Sequence, residues 1–154
     1  MNPGHVVKCA LAGAGVFASF AMNQFQALVS CLGSGSGGGG GEPSTVKAAE
    51  RIVGHGIADD QQARAGNAVH YGFGTALGLL YGVAAEAEPW VTAGFGLPFG
   101  GAVAAVADEA LVPAAGLSGP PWQSPPSTHA YSLASHLVFG VALEAARRAP
   151  LRVL

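Results

Sequence analysis

Five ionisable residues, His70, His136, Asp108, Glu109 and Glu144, lie inside stretches rich in Ala, Gly, Leu, Val and Phe and could share one site. Imidazole and carboxylate in one place can do three kinds of chemistry. They can pass protons, because histidine titrates near neutral pH. They can ligate a divalent metal such as zinc, manganese or iron. Two imidazoles can also hold a b-type haem between helices, with glycine making room for the porphyrin. A plainer arrangement competes with all three, in which the histidines cap helix ends and hydrogen-bond neighbouring carboxylates without a cofactor. The expectation is therefore no cofactor, with haem or a divalent metal as alternatives. No metalloprotease, phosphate-loop, dinucleotide-binding or nucleophile-elbow pattern occurs, so no enzyme is expected.

The elements that must position these groups follow from charge placement. Half of the residues are hydrophobic and 10% are charged, whereas soluble domains carry roughly 25%. The seven basic residues are Lys8, Lys47, Arg51, Arg64, Arg147, Arg148 and Arg152, which leaves residues 65–146 without a single lysine or arginine. A cation at the centre of a bilayer costs at least ~2.5 kcal/mol, so such a stretch suits lipid better than water. The same census, with a net charge of −2, argues against nucleic acid as a partner. The expected partners are the bilayer and a second membrane-protein chain or another copy.

Apolar segments at about 6–32, 68–87, 90–112 and 131–146 are expected to be four spans, since about twenty helical residues cross a hydrocarbon core. Pro98 is expected to kink the third. Residues 33–41 are almost entirely Gly and Ser, a tether. Residues 44–60 carry Val46, Ala49, Val53 and Ile57 on one stripe among Lys47, Glu50 and Arg51, which predicts an amphipathic helix on the membrane surface. The fold expected is all-α, a four-helix integral membrane bundle, with cytoplasmic termini marked by Arg147-Arg148. Leu28-Val29-Ser30-Cys31 before the tether also fits a lipoprotein box with Cys31 lipidated, although Asn23, Gln24 and Gln26 interrupt its apolar region. Cys9 and Cys31 are too far apart along one helix to pair.

Segments two and four share H-x-x-F-G-x-A-L, from His70 to Leu77 and from His136 to Leu143; segments one and three share Ala12-Gly13-x-Gly15 and Ala93-Gly94-x-Gly96. This predicts two parallel helix-pair units, an internal repeat. His70, Gly74, Gly78, Gly82 and Glu86 recur every four residues, and His136, Gly140 and Glu144 repeat the spacing. The glycines should let a second backbone approach closely, either between segments two and four or between each and another helix. Parallel segments two and four put His70 and His136 at one end of the bundle, and antiparallel neighbours bring Asn23, Gln26, Asp108 and Glu109 to it. Glu144 should lie ~12 Å deeper than His136, and Glu86 ~24 Å from His70.

From His70 onward the chain resembles the YagU family of bacterial inner-membrane proteins, a domain of unknown function. The likeness is carried by His70-x-x-Phe73, Gly78-x-x-Tyr81-Gly82-Val83-x-Ala85-Glu86, Pro89, Gly94, Pro113, Gly116-Leu117, Pro120-Pro121, His136-x-Val138-Phe139-Gly140, Glu144 and Arg147-Arg148. It implies a helical bundle in the cytoplasmic membrane and no settled activity. The function expected is a non-enzymatic accessory or envelope-homeostasis component. The alternatives are a small transporter or proton- and ion-handling protein using His70, His136, Asp108, Glu109 and Glu144, and a haem- or metal-binding electron carrier.

Overall fold

The computed structural model describes residues 3–33 and 43–149, with side chains from residue 11 onward. Those residues are helical without a strand. The elements are α1 (Pro3–Cys31), α2 (Ser44–Val53), α3 (Asp59–Ala87), α4 (Leu97–Ala114) and α5 (Pro126–Arg148). Two of them, α3 and α4, are long and apolar enough to cross a membrane. Most of the Gly/Ser tether lies outside the described residues, and Cys31 ends α1 exposed to solvent.

Several boundaries differ from expectation. Helix α3 starts at Asp59 rather than near 68, because Asp59 and Asp60 sit in its first turn where the helix dipole favours anions. The stretch expected as a span from residue 90 begins instead as a tight turn, Pro89–Phe95, and the helix proper starts at Leu97. Gly94, Phe95 and Gly96 all take positive φ, at 52°, 65° and 85°, which two glycines accommodate and Phe95 tolerates only under constraint. Pro98 therefore falls in the first turn, where proline needs no hydrogen-bond donor, and causes no kink. The amphipathic helix is shorter than 44–60. Gly54 closes it in a left-handed cap, its N–H donating to Glu50 O at 2.8 Å. Val46 and Ala49 are buried against α3, whereas Ile52 and Val53 stay exposed.

The glycine stripes do not meet each other. Each meets a different helix. A methyl group at Gly78 would stand 2.7 Å from Gly15 Cα and 2.7 Å from Leu11 O, so α3 lies backbone-to-backbone on α1. Likewise a methyl at Gly140 would stand 3.0 Å from Gly100 N, so α5 lies on α4. The two contacts correspond position by position. Gly74 abuts Gly15 and Ser19, and Gly140 abuts Gly96 and Gly100.

Helix α1 also packs along α5, and the core forms there. Ala14, Ala18 and Met22 meet Phe139, Ala142 and Leu143, with Tyr81, Phe99 and Val103 closing one end. Helices α3 and α4 touch at that end, where the Tyr81 and Phe99 rings meet edge to face at 4.8 Å. Toward the other end both helices line a cavity instead.

Gly15→Ala is expected to lower stability by about 1–3 kcal/mol, because the new methyl meets backbone, 2.8 Å from Thr75 Cα, that no rotamer can move. Gly13→Ala faces open space and should be neutral or gain ~0.5 kcal/mol from helix propensity. Melting of the two variants in detergent checks both; equal changes in the two would show that close approach at Gly15 does not decide the outcome.

Candidate functional site

The wedge between α3 and α4 is a chamber of about 490 Å³. Three of the five predicted residues bear on it directly, since His70, His136 and Asp108 line its wall, joined by Asn23 and Gln26 of α1. Most of the remaining wall is apolar, including Met22, Phe73, Leu77, Leu111 and Phe139. Helix α2 contributes Ser44 and Thr45. It is tied across the opening by Arg51, whose guanidinium donates to the carbonyl of Ala115.

Helix α4 widens where its carboxylates lie. Residues Ala104–Leu111 form a π-helical stretch, just before Pro113, whose ring collides with the carbonyl four residues back in a regular helix. A wider coil turns the chain less per residue than the regular helix does, and such segments are frequent at functional sites. Consecutive Asp108 and Glu109 consequently both reach α5. Asp108 accepts from Ser132 Oγ and lies 3.6 Å from His136 Nδ1. His136 Nδ1 is also 3.0 Å from Ser132 O. With Nδ1 occupied as a donor, Nε2 is the atom left for a partner in the chamber. His70 Nε2 stands 3.4 Å from Ser19 O, a long bond that holds the ring loosely.

Glu109 is not in the chamber. It lines an outer vestibule of about 620 Å³ with Lys47 and His129, and Asp108, Gln26 and Met22 are shared between the two spaces. The Glu109 carboxylate accepts from His129 Nδ1 at 2.6 Å, and that bond holds the imidazole above its ordinary pKa. His129 had no signal in the sequence beyond its residue type, since its partner is twenty residues away.

Glu144 is set apart from the histidines altogether. It is fully buried at the closed end, and its carboxylate accepts from Tyr81 Oη at 2.6 Å, from Arg147 at 2.7 and 2.8 Å, and from Arg148 Nε at 2.5 Å. Arg148 lies over the Phe95 ring at 4.6 Å, which pins the strained residue. The spacing of Glu144 with Arg147 and Arg148 was legible as helix neighbours at three and four residues. Tyr81 was not. This cluster is a lock joining α3, the turn before α4 and α5. Among the described residues, no three His, Cys, Asp or Glu side chains converge as a metal-binding group. Ser19 Oγ is buried with no hydrogen-bond partner among them.

An all-helical chain with two membrane-length helices and a histidine-lined chamber thus defines the class. The chain belongs to the family described as "Protein of unknown function (DUF1440)", whose model matches residues 49–145. No curated protein and no solved structure matches it.

Two predictions follow from the paired groups. Because the folded-state pKa of His129 is raised, its pairing with Glu109 adds stability below the ordinary histidine pKa of about 6.5 and loses it as pH climbs through the raised value. Melting across that window should show the decline, and Glu109→Gln should flatten it. At the closed end, the double variant Arg147→Ala/Arg148→Ala strands a buried carboxylate and should cost about 3–5 kcal/mol. Glu144→Gln, which retains a group able to meet Tyr81, should cost less. The reverse order in detergent melts would refute the lock.

Proposed function

We propose that this chain is a non-enzymatic, multi-pass membrane protein of the bacterial inner membrane that binds a small molecule in the α3–α4 chamber, in the manner of a small transporter or its accessory. The observation that carries this reading is the wall of that chamber, in which His70, His136 and Asp108 interrupt an otherwise apolar lining. A space of about 490 Å³ is far larger than a proton or metal ion needs. It falls within the ~300–1,000 Å³ typical of small-molecule sites, which are mostly apolar with a few placed polar groups. The absence of Lys and Arg from residues 65–146 supports α5 spanning beside α3 and α4, and the likeness to YagU-type proteins supports the inner membrane. The matched contacts of Gly74 and Gly140 support descent of the α1–α3 and α4–α5 pairs from one duplicated unit.

The chamber stops short of the Tyr81–Phe99 contact and the Glu144 lock, so it is a pocket closed at that end and not a pore. Moving a ligand through would require α3 and α4 to part at that end.

Asp108 lines both chamber and vestibule, which favours one second reading, proton passage from vestibule to chamber. Vesicles containing the protein and a pH-sensitive dye separate the two. Under the small-molecule reading a proton gradient applied without ligand decays no faster than in empty vesicles. A leak that disappears in Asp108→Asn would replace that reading with the proton path. The binding reading itself is tested by thermal shift against a small-molecule library at about pH 5 and pH 8, the span over which histidine changes charge. At least one compound should stabilise the wild type but not Ala107→Trp, which fills the pocket. Identical responses from both proteins would end the proposal.

A further inference from the structure

The lips of the chamber are as informative as its wall. Phe73 on α3 and Leu111 on α4 both line it, yet they are 46% and 54% exposed. The exposed apolar surface continues along the same two helices through Leu80 and Val83 on one and Val106 on the other. The chamber therefore has a greasy side opening between α3 and α4, beside the polar mouth under α2. In a bilayer such a slot faces acyl chains, and a ligand can enter through it without crossing water.

The polar groups inside define what kind of head fits. Among the described residues no lysine or arginine lines the chamber, so a phosphate or carboxylate head would be buried without a counter-ion there, which is costly. Among the described lining residues the one acid a cationic head could meet is Asp108, whose Oδ2 accepts from Ser132 and faces His136, so a cation would compete with both. What remains is His136 Nε2, the loosely held His70 ring and the amides of Gln26 and Asn67, all of them partners for neutral oxygen. An imidazole that can either donate or accept suits a carbonyl or a hydroxyl equally.

We infer that the chamber binds the uncharged, oxygen-bearing head of an amphipathic molecule whose apolar tail leaves between Phe73 and Leu111 into lipid. A quinone or quinol with an alkyl or isoprenoid chain has this chemistry. The inference rests on the small-molecule reading of the site and names its ligand class and its route of entry.

The test uses the full chain in phosphatidylcholine nanodiscs and four probes. These are a decyl-tailed benzoquinone, the same quinone head without its tail, decyl phosphate and decyltrimethylammonium. The decyl quinone should bind saturably, about tenfold or more tighter than either charged probe, a difference of about 1.4 kcal/mol. His136→Leu should weaken it by a similar factor, and so should Leu111→Trp, which narrows the slot. Val16→Trp, at an exposed position of α1 that lines neither the chamber nor the vestibule, should leave it unchanged, and melting curves confirm that each variant is folded. Preference for a charged probe would overturn the head assignment. Equal binding of the tail-less quinone, or indifference to Leu111→Trp, would overturn the lipid-side route while leaving a small-molecule pocket standing. If no probe binds but a library compound stabilises the wild type and not Ala107→Trp, the ligand class falls and the pocket survives; if neither occurs, both fall together.

Discussion

Backbone-to-backbone contact at glycine is the constraint from which the rest of this architecture follows. Gly15 against Gly74 and Gly78, and Gly140 against Gly96 and Gly100, bring α1 onto α3 and α4 onto α5 more closely than any side chain would allow. Where glycines fix two pairs so tightly, the larger side chains must go elsewhere. They fill the seam between α1 and α5, which becomes the core. At the remaining junction, between α3 and α4, no described glycine of one helix abuts the other, and core residues do not fill its length. It closes at Tyr81 and Phe99 and opens elsewhere. The chamber is what tight packing on one side leaves on the other.

The two ends of that junction are stabilised by different physics. At the closed end a fully buried carboxylate collects a tyrosine hydroxyl and two guanidinium groups, and one guanidinium also stacks on Phe95. Such an arrangement is rigid because every partner lost would strand a charge in a medium of low dielectric. At the open end the contacts between α1 and α3 are longer. His70 holds Ser19 O at 3.4 Å, and Asn23 reaches Tyr71 Oη at 3.4 Å. Strength at one end and looseness at the other suit a site that must admit something and release it again.

The paired units are alike in backbone and unlike in chemistry. Ser19 occupies in one contact the place that Gly100 occupies in the other. His70 leans on a backbone carbonyl of α1, whereas His136 faces Asp108 on α4. Among the described residues the π-helical turn is found on the α4 side, and it delivers two consecutive carboxylates to α5. One half thus supplies amides and a hydroxyl, the other the titratable pair.

Much of this was present in the chain's one-dimensional pattern. The four-residue glycine spacing, the helix-rich composition and the placement of His70, His136 and Asp108 at one end follow from helical periodicity and antiparallel connection, which are local rules. The pairing of Glu144 with Arg147 and Arg148 is local in the same sense. Other features depended on which helix met which. Glu144 separates from the histidines because Tyr81 and two arginines claim it. Glu109 leaves the chamber because His129 stands beside it, and the third apolar segment starts late because three successive residues adopt positive φ. Spacing along a helix determines the face a residue shares. Only the arrangement of neighbouring helices decides what that face meets, since hydrogen bonds and close contacts across a junction join residues twenty to sixty positions apart.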